Sequence, residues 1–190
     1  MIPKIFHHVW LGPKPFPSEQ AVWLEGCKKL HPKWEFMLWN DENTLPLRDK
    51  LDECKSYAAQ ADIVRVWAVI NHGGVYADTD FEWYKPIDDL LNVKAFCGSE
   101  SKGILSNGLF GAEKNHPWLK KLWSCLDKYR KKPSPWGPMW FTQTTNKKEI
   151  VVYPTKYFYP YLYTQITHEN RTKKHKGSYC VHHWAYSWKQ

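Results

Sequence analysis

Two early stretches of the chain read as strands. Ile2 to Trp10 is largely apolar, with Pro3 at its start and Gly12-Pro13 at its close. Trp34, Phe36 and Leu38 then alternate with Glu35, Met37 and Trp39. Between them, Ser18 is placed to cap a helix running to about Leu30, ended by His31-Pro32. From Tyr57 to Asn71, Ala58, Ala61, Val64, Ala68 and Val69 recur near the helical period, and Gly73-Gly74 stops the helix. Val75-Tyr76-Ala77 is a short apolar strand that runs directly into Asp78. Further strands are expected at Ala95–Gly98, Leu105–Gly111, Ile150–Val152 and Tyr179–Trp184. A helix from Pro117 to Lys132 turns Leu119, Leu122, Trp123 and Leu126 inward. Pro133–Pro138 reads as a loop, Tyr153–Pro160 as an aromatic connection and Lys173–Lys176 as a basic loop. Strands alternating with helices predict an α/β fold with a mostly parallel sheet, filled by one domain over residues 1–190. In such folds ligands lie beyond the carboxyl ends of the strands, which is where Asp78 falls.

Composition narrows the chemistry. Twelve tryptophans and eleven tyrosines exceed what packing needs, and rings with a polar tip grip flat or amphipathic ligands such as sugar faces and bases. The net charge of +8 divides into −4 over residues 1–100 and +12 over 101–190. An acidic half beside a basic half suits a site that holds a cation and attracts an anion: a nucleotide diphosphate, an anionic membrane surface or a nucleic acid. Five widely spaced cysteines without a CxxC pair argue for free thiols in a reducing compartment and against a zinc site. With a start unlike a signal peptide and no apolar run of membrane-spanning length, the expected location is cytoplasmic, with peripheral contact at the inner membrane face through the basic half.

The densest constellation is Ala61-Asp62-Ile63-Val64-Arg65 followed by Gly73-Gly74-Val75-Tyr76-Ala77-Asp78-Thr79-Asp80. Two carboxylates one residue apart at a strand end can turn toward one hard cation, Mn²⁺ or Mg²⁺, leaving positions open for diphosphate oxygens. Asp62 and Arg65, three apart on a helix, share a face and can clamp sugar hydroxyls. An aspartyl-phosphate phosphatase would also use Asp-x-Asp, but its longer leading strand and trailing Gly/Thr are missing here. Of the adjacent His182 and His183 only one can face the site on a strand, and His182 is favoured. His7, His8, His31, His72 and His116 lack metal-ligand spacing and read as turn, surface or satisfied core residues.

IPKIFHHVWLG, ADIVRVWAVINHGGVYADTDFEWYKPIDDL and HHWAYSWK together resemble glycosyltransferase family 32, the DXD sugar transferases of capsule and outer-chain polysaccharide synthesis, related to the glucosylating domain of large clostridial toxins. The resemblance spans nearly the whole chain. It implies a GT-A fold, a UDP- or GDP-sugar donor with the UDP-sugar favoured, a bound Mn²⁺ or Mg²⁺, and transfer of a hexose, with retention, to a glycan or glycolipid acceptor. A DNA or protein acceptor, or a non-catalytic Trp-rich carbohydrate-binding module, is the alternative reading. The resemblance implies that Trp10 stacks on the donor base and that Asp62 and Arg65 hold the donor sugar. Asp78 contacts ribose, sugar or metal, and Asp80 ligates the metal. His182, Ser187 and Trp188 close over the diphosphate, with His182 or Ser187 completing the metal shell and Trp188 donating its N–H to the leaving oxygen. Asn107 lies toward sugar and acceptor, and Gly137-Pro138 with Thr142 resembles a GP-containing loop. Trp67 is bulkier than the family's usual residue there, and the chain leaves little length for an acceptor-binding insertion.

Overall fold

In the computed structural model, residues 1–129 and 137–185 are described. The strands are β1 (Ile5–Val9), β2 (Glu35–Trp39), β3 (Gly74–Ala77), β4 (Phe81–Trp83), β5 (Ala95–Ser101), β6 (Ile104–Ala112), β7 (Val151–Tyr153) and β8 (Cys180–His182). The helices are α1 (Ser18–Leu30), α2 (Arg48–Asp52), α3 (Tyr57–His72), α4 (Pro117–Tyr129), α5 (Gly137–Thr144), α6 (Thr155–Phe158) and α7 (His168–Thr172).

Six strands form one sheet in the order β2-β1-β3-β6-β5-β7, with β1–β2, β1–β3 and β5–β7 parallel and β6 antiparallel to both neighbours. The reversal at β6 follows from its connection: only Lys102-Gly103 separates Ser101 from its partner Ile104, and a link that short can only turn the chain back. Alternation along β3 divides its side chains between two cores. Tyr76 joins Ile63, Val66, Phe110, Trp118 and Phe141 beneath α3, α4 and α5. Val75 and Ala77 join Phe6, Cys27, Phe81, Trp83 and Phe158 on the opposite face. The mostly parallel sheet flanked by helices is thus the architecture that the pattern predicts.

Helix α3 buries Asp62 and Arg65 together with Ala59, Ile63, Val64, Val66, Ala68 and Val69, so a polar pair enters a mainly apolar face. Ser56 caps its start by accepting from the Ala59 N–H, and Gly73 ends it at φ 69°. Several local expectations are corrected. Ser18 is the first residue of α1 rather than its cap; Pro17 takes the cap position without a side-chain bond. Gly137-Pro138 opens α5 instead of closing a loop, and Tyr153–Pro160 contains the short α6. The sequence pattern did not reveal β4, whose two-stranded sheet with β8 pairs Phe81 with His182 and Trp83 with Cys180. The end of the Pro117–Lys132 helix and residues 133–136 lie outside the described residues. The five cysteines carry no disulfide, and no helix among the described residues is long and apolar enough to cross a membrane.

Candidate functional site

The site forms where β3 ends. Tyr76 and Asp78 are two residues apart and project to one side, so the Tyr76 hydroxyl donates to Asp78 Oδ1 at 2.6 Å. The Arg65 guanidinium lies 4.6 Å from the centre of the Tyr76 ring. Its Nη1 is 3.2 Å from Asp78 Oδ1 and its Nη2 is 3.1 Å from Asp62 Oδ1. Nη1 also donates to the Asn107 carbonyl at 2.8 Å, and Nε donates to the Ala61 carbonyl at 3.2 Å. Most of the Arg65 donors are therefore committed to holding the two carboxylates and β6 in place.

Asn107 reaches this cluster through a break in register. Cys97 pairs with Phe110, yet Ser99 pairs with Leu105, so Ser106, Asn107 and Gly108 bulge from the ladder. The bulged Asn107 amide donates to Asp62 Oδ1 at 2.8 Å, and the Gly137 N–H donates to Asp62 Oδ2 at 3.2 Å. The Gly108 carbonyl accepts from the Asp78 N–H at 2.8 Å. A methyl group on Gly108 would sit 2.5 Å from Asp78 Oδ2, so that carboxylate needs a residue with no side chain beside it.

Beyond Asp78 the chain turns, and its neighbours separate. Thr79 donates its hydroxyl to the buried Gln20 of α1 at 2.7 Å. Asp80 points instead to β8: its Oδ1 is 2.9 Å from His182 Nε2, its Oδ2 accepts from the Ala185 N–H at 2.8 Å, and its carbonyl accepts from the His183 N–H at 2.9 Å. His182 Nε2 is also 3.8 Å from Asp78 Oδ2. Ligand atoms of Asp78, Asp80 and His182 lie within 4.8 Å of one another. The neighbouring His183 turns away, stacking on Trp23 at 4.2 Å and meeting Glu82 Oε2 at 3.0 Å.

Electrostatics divide the acidic groups. Burial pushes the Asp62 and Asp78 carboxyls above the usual carboxylate range, against the pull of Arg65. Burial also opposes the charge on Asp80, but the facing His182 ring and the Ala185 amide prevail and hold it below that range. His182 responds in kind: burial disfavours its cation, yet Asp80 and Asp78 prevail and raise it. Two carboxylates and a buried imidazole, whose Nε2 lies 2.9 Å from Asp80 Oδ1 and 3.8 Å from Asp78 Oδ2, make a donor set that suits a divalent cation such as Mn²⁺.

The structure thus gathers Asp62, Arg65, Asn107, Asp78, Asp80 and His182. Trp10 follows β1 at the same end of the sheet, where its indole N–H donates to the Lys14 carbonyl at 2.8 Å and its ring meets Phe16 edge-on. Thr142 accepts from the Leu105 N–H and braces the start of β6. Ser187 and Trp188 lie outside the described residues. The sequence reading missed Tyr76, Gly108 and Ala185. Tyr76 had a signal, since its two-residue offset from Asp78 places both on one face. Gly108 and Ala185 act through backbone, which residue type does not announce.

Residues 17–97 match the family described as the glycosyltransferase sugar-binding region containing a DXD motif. Inositol phosphoceramide mannosyltransferase 3 of Schizosaccharomyces pombe is 32% identical over 126 residues, covering 62% of this chain and 35% of that protein. Mannosyl phosphorylinositol ceramide synthase CSH1 of Saccharomyces cerevisiae is 31% identical over 139 residues, covering 69% of this chain and 37% of that protein. The chain spans little more than a third of the length of these two curated relatives. Among solved structures, the PaToxG glycosyltransferase superposes with a TM-score of 0.61 at 19% identity, over 75% of this chain and 68% of that one; this likeness is one of fold. Over residues 17–97 the chain is thus similar in sequence to the DXD-motif glycosyltransferases, and it shares the fold of a solved glycosyltransferase.

Proposed function

We propose that this chain is a metal-dependent glycosyltransferase that moves a hexose from a nucleoside-diphosphate sugar, a UDP-sugar in preference to a GDP-sugar, to a hydroxyl of a glycan or lipid-linked acceptor. The observation that carries the reading is the convergence of Asp78, Asp80 and His182 at a strand end, beside the buried Asp62–Arg65–Asn107 cluster. The yeast relatives are named for mannosyl transfer to inositol phosphoceramide, which favours a lipid-linked acceptor.

Asp78, Asp80 and His182 would hold Mn²⁺ or Mg²⁺. A divalent cation there supplies charge neutralisation to a departing diphosphate. Asp62, fixed by Asn107 and the Gly137 N–H, accepts hydrogen bonds from donor-sugar hydroxyls. Arg65 keeps Asp62 and Asp78 at fixed separation, so that the sugar meets a preorganised wall. Trp10 offers a ring to the nucleotide base. The bond from the anomeric carbon to the phosphate oxygen breaks with its electron pair going to the diphosphate. The acceptor oxygen bonds to the same face of the sugar and gives its proton to the departing phosphate oxygen, so configuration is retained.

Thermal-shift titration with UDP- and GDP-sugars, with and without Mn²⁺, tests the reading. The expected result is stabilisation by a donor that requires Mn²⁺. Asp80→Ala is expected to abolish both that shift and transfer while far-UV circular dichroism stays unchanged. Normal turnover by Asp80→Ala without compensation overturns the reading.

A further inference from the structure

Glu100 is an acidic residue that neither the fold nor the metal-binding trio uses. It sits in the second irregularity of the β5–β6 ladder: Ser99 pairs with Leu105 and Ser101 with Ile104, so Glu100 is the extra residue on β5. Such bulges swing a side chain out of the regular alternation, and they gather beside active sites. This one lies next to the bulge of Ser106, Asn107 and Gly108 on β6, at the sheet end where Asp78 emerges. Two consecutive register breaks therefore bring residues from adjacent strands toward one place.

Two aromatic rings cover this part of β5. A methyl group on Gly98 would touch Phe158 and come within 3.2 Å of Tyr159. Tyr159 is fully packed, bonded to the Ser106 hydroxyl, and its ring meets His182 at 5.5 Å. The Glu100 carboxyl feels the His182 and Asp78 charges, and Tyr159 feels the Glu100 charge in turn. Yet no hydrogen bond or ion pair to a described residue satisfies the carboxyl. Burial accordingly pushes its pKa up to about 7. Leaving a partly buried carboxyl without a partner is costly, and a ligand that supplies a donor recovers that cost.

The other carboxylates of the site are already committed. Asp62 is bonded to Asn107, Gly137 and Arg65, Asp78 to Tyr76 and Arg65, and Asp80 to His182 and Ala185. Strand order adds a direction, because Asp78 follows β3, Asn107 belongs to β6 and Glu100 belongs to β5. Glu100 stands one strand farther from the Asp78 side than the sugar-holding cluster does, which is where a second substrate would meet the first.

We propose that Glu100 binds the acceptor, taking a hydrogen bond from an acceptor hydroxyl through its bulge-presented carboxylate. This inference rests on the transferase reading, and it deepens that reading by assigning the side of the site from which the hydroxyl arrives. The acceptor class it predicts is a polyol, a sugar or a cyclitol headgroup, whose adjacent hydroxyls let one donate to Glu100 while another reacts.

The experiment compares Glu100→Ala and Glu100→Gln with the unaltered chain. Probes are UDP-glucose and GDP-mannose with Mn²⁺ as donors, and myo-inositol and methyl α-mannoside as acceptors. Expected for Glu100→Ala is a fall of about 10- to 100-fold in kcat/KM for the acceptor, the range for a hydrogen bond to a charged group. Glu100→Gln, which keeps an acceptor oxygen but no charge, should fall less. The Mn²⁺-dependent thermal shift given by the donor should be unchanged in both, which also shows that both variants fold. An unchanged acceptor dependence overturns the proposal, and so does an equal loss of the donor-induced shift. A sugar adduct on Glu100, seen by mass spectrometry after incubation with donor, would make it a nucleophile and overturn it as well. If the unaltered chain neither binds nor turns over any donor, the transferase reading falls, and this inference falls with it.

Discussion

At the scale of single residues, the site depends on one absence of a side chain as much as on its charged groups. Gly108 lets Asp78 lie against β6, and a methyl group there would meet Asp78 Oδ2 at 2.5 Å. Gly108→Ala is therefore expected to tilt the carboxylate and weaken Mn²⁺-dependent donor binding about tenfold, or about 1.4 kcal/mol. Isothermal titration of donor in Mn²⁺ buffer reads the change; unaltered affinity would show that Asp78 needs no such support. Residue type alone revealed the Asp62–Arg65 spacing and the Asp78–Asp80 pair, because helix and strand periods convert spacing into a shared direction. It did not reveal that Arg65 spends its donors on Asp62, Asp78, Ala61 and Asn107, since that depends on which strand lies across from α3.

At the scale of elements, the turn from α3 into β3 aims the whole site. Gly74 has φ 98°, and a methyl group on it would lie 2.5 Å from the Ile5 carbonyl of β1. Gly74→Ala should cost about 3 kcal/mol or more, because strain and a backbone clash add. Gly103→Ala should cost only about 1 kcal/mol: its φ is also positive, at 83°, but nothing lies within 4 Å. Urea-denaturation midpoints compare the two, and equal losses would contradict this account. The long helices and buried strands were legible in the chain because each repeats its period over several turns or alternations. Among the short elements, β3, β7 and β8 were legible as apolar runs, whereas β4, α2, α6 and α7 were not. β4 and β8 exist through each other, pairing Phe81 with His182 across most of the chain, and three residues carry too little pattern to announce a partner. α5 begins at a Gly-Pro pair that locally favours a turn, and Phe141 and Trp140 reverse that preference by packing into the core.

At the scale of the whole molecule, the buried histidines of β1 tie stability to pH. His7 donates from Nε2 to the Gly73 carbonyl and accepts at Nδ1 from the Trp39 indole, which fixes the neutral ring. His8 donates from Nδ1 to the Ala77 carbonyl. Burial lowers both to about 4 from an ordinary 6.5. The unfolded chain binds these protons first, so the stability contributed by the neutral rings is complete above pH 6.5. It is lost as pH falls toward 4, on the order of 3 kcal/mol per ring. The raised Asp62 and Asp78 carboxyls act in the opposite sense and reduce the net loss. Denaturation midpoints measured from pH 7 to 4 should fall as the solution is acidified, and a flat profile would contradict the neutral-ring assignment.

The Ala185–Asp80 hydrogen bond joins residues 105 positions apart, and His182 arrives with the same late strand. During synthesis the acidic pair leaves the ribosome long before the histidine that faces it. On the metal-site reading proposed above, a nascent chain halted midway would display Asp78 and Asp80 without the His182 that completes the trio. On that reading, metal affinity would appear only once β8 docks against β4, and its appearance would report that docking.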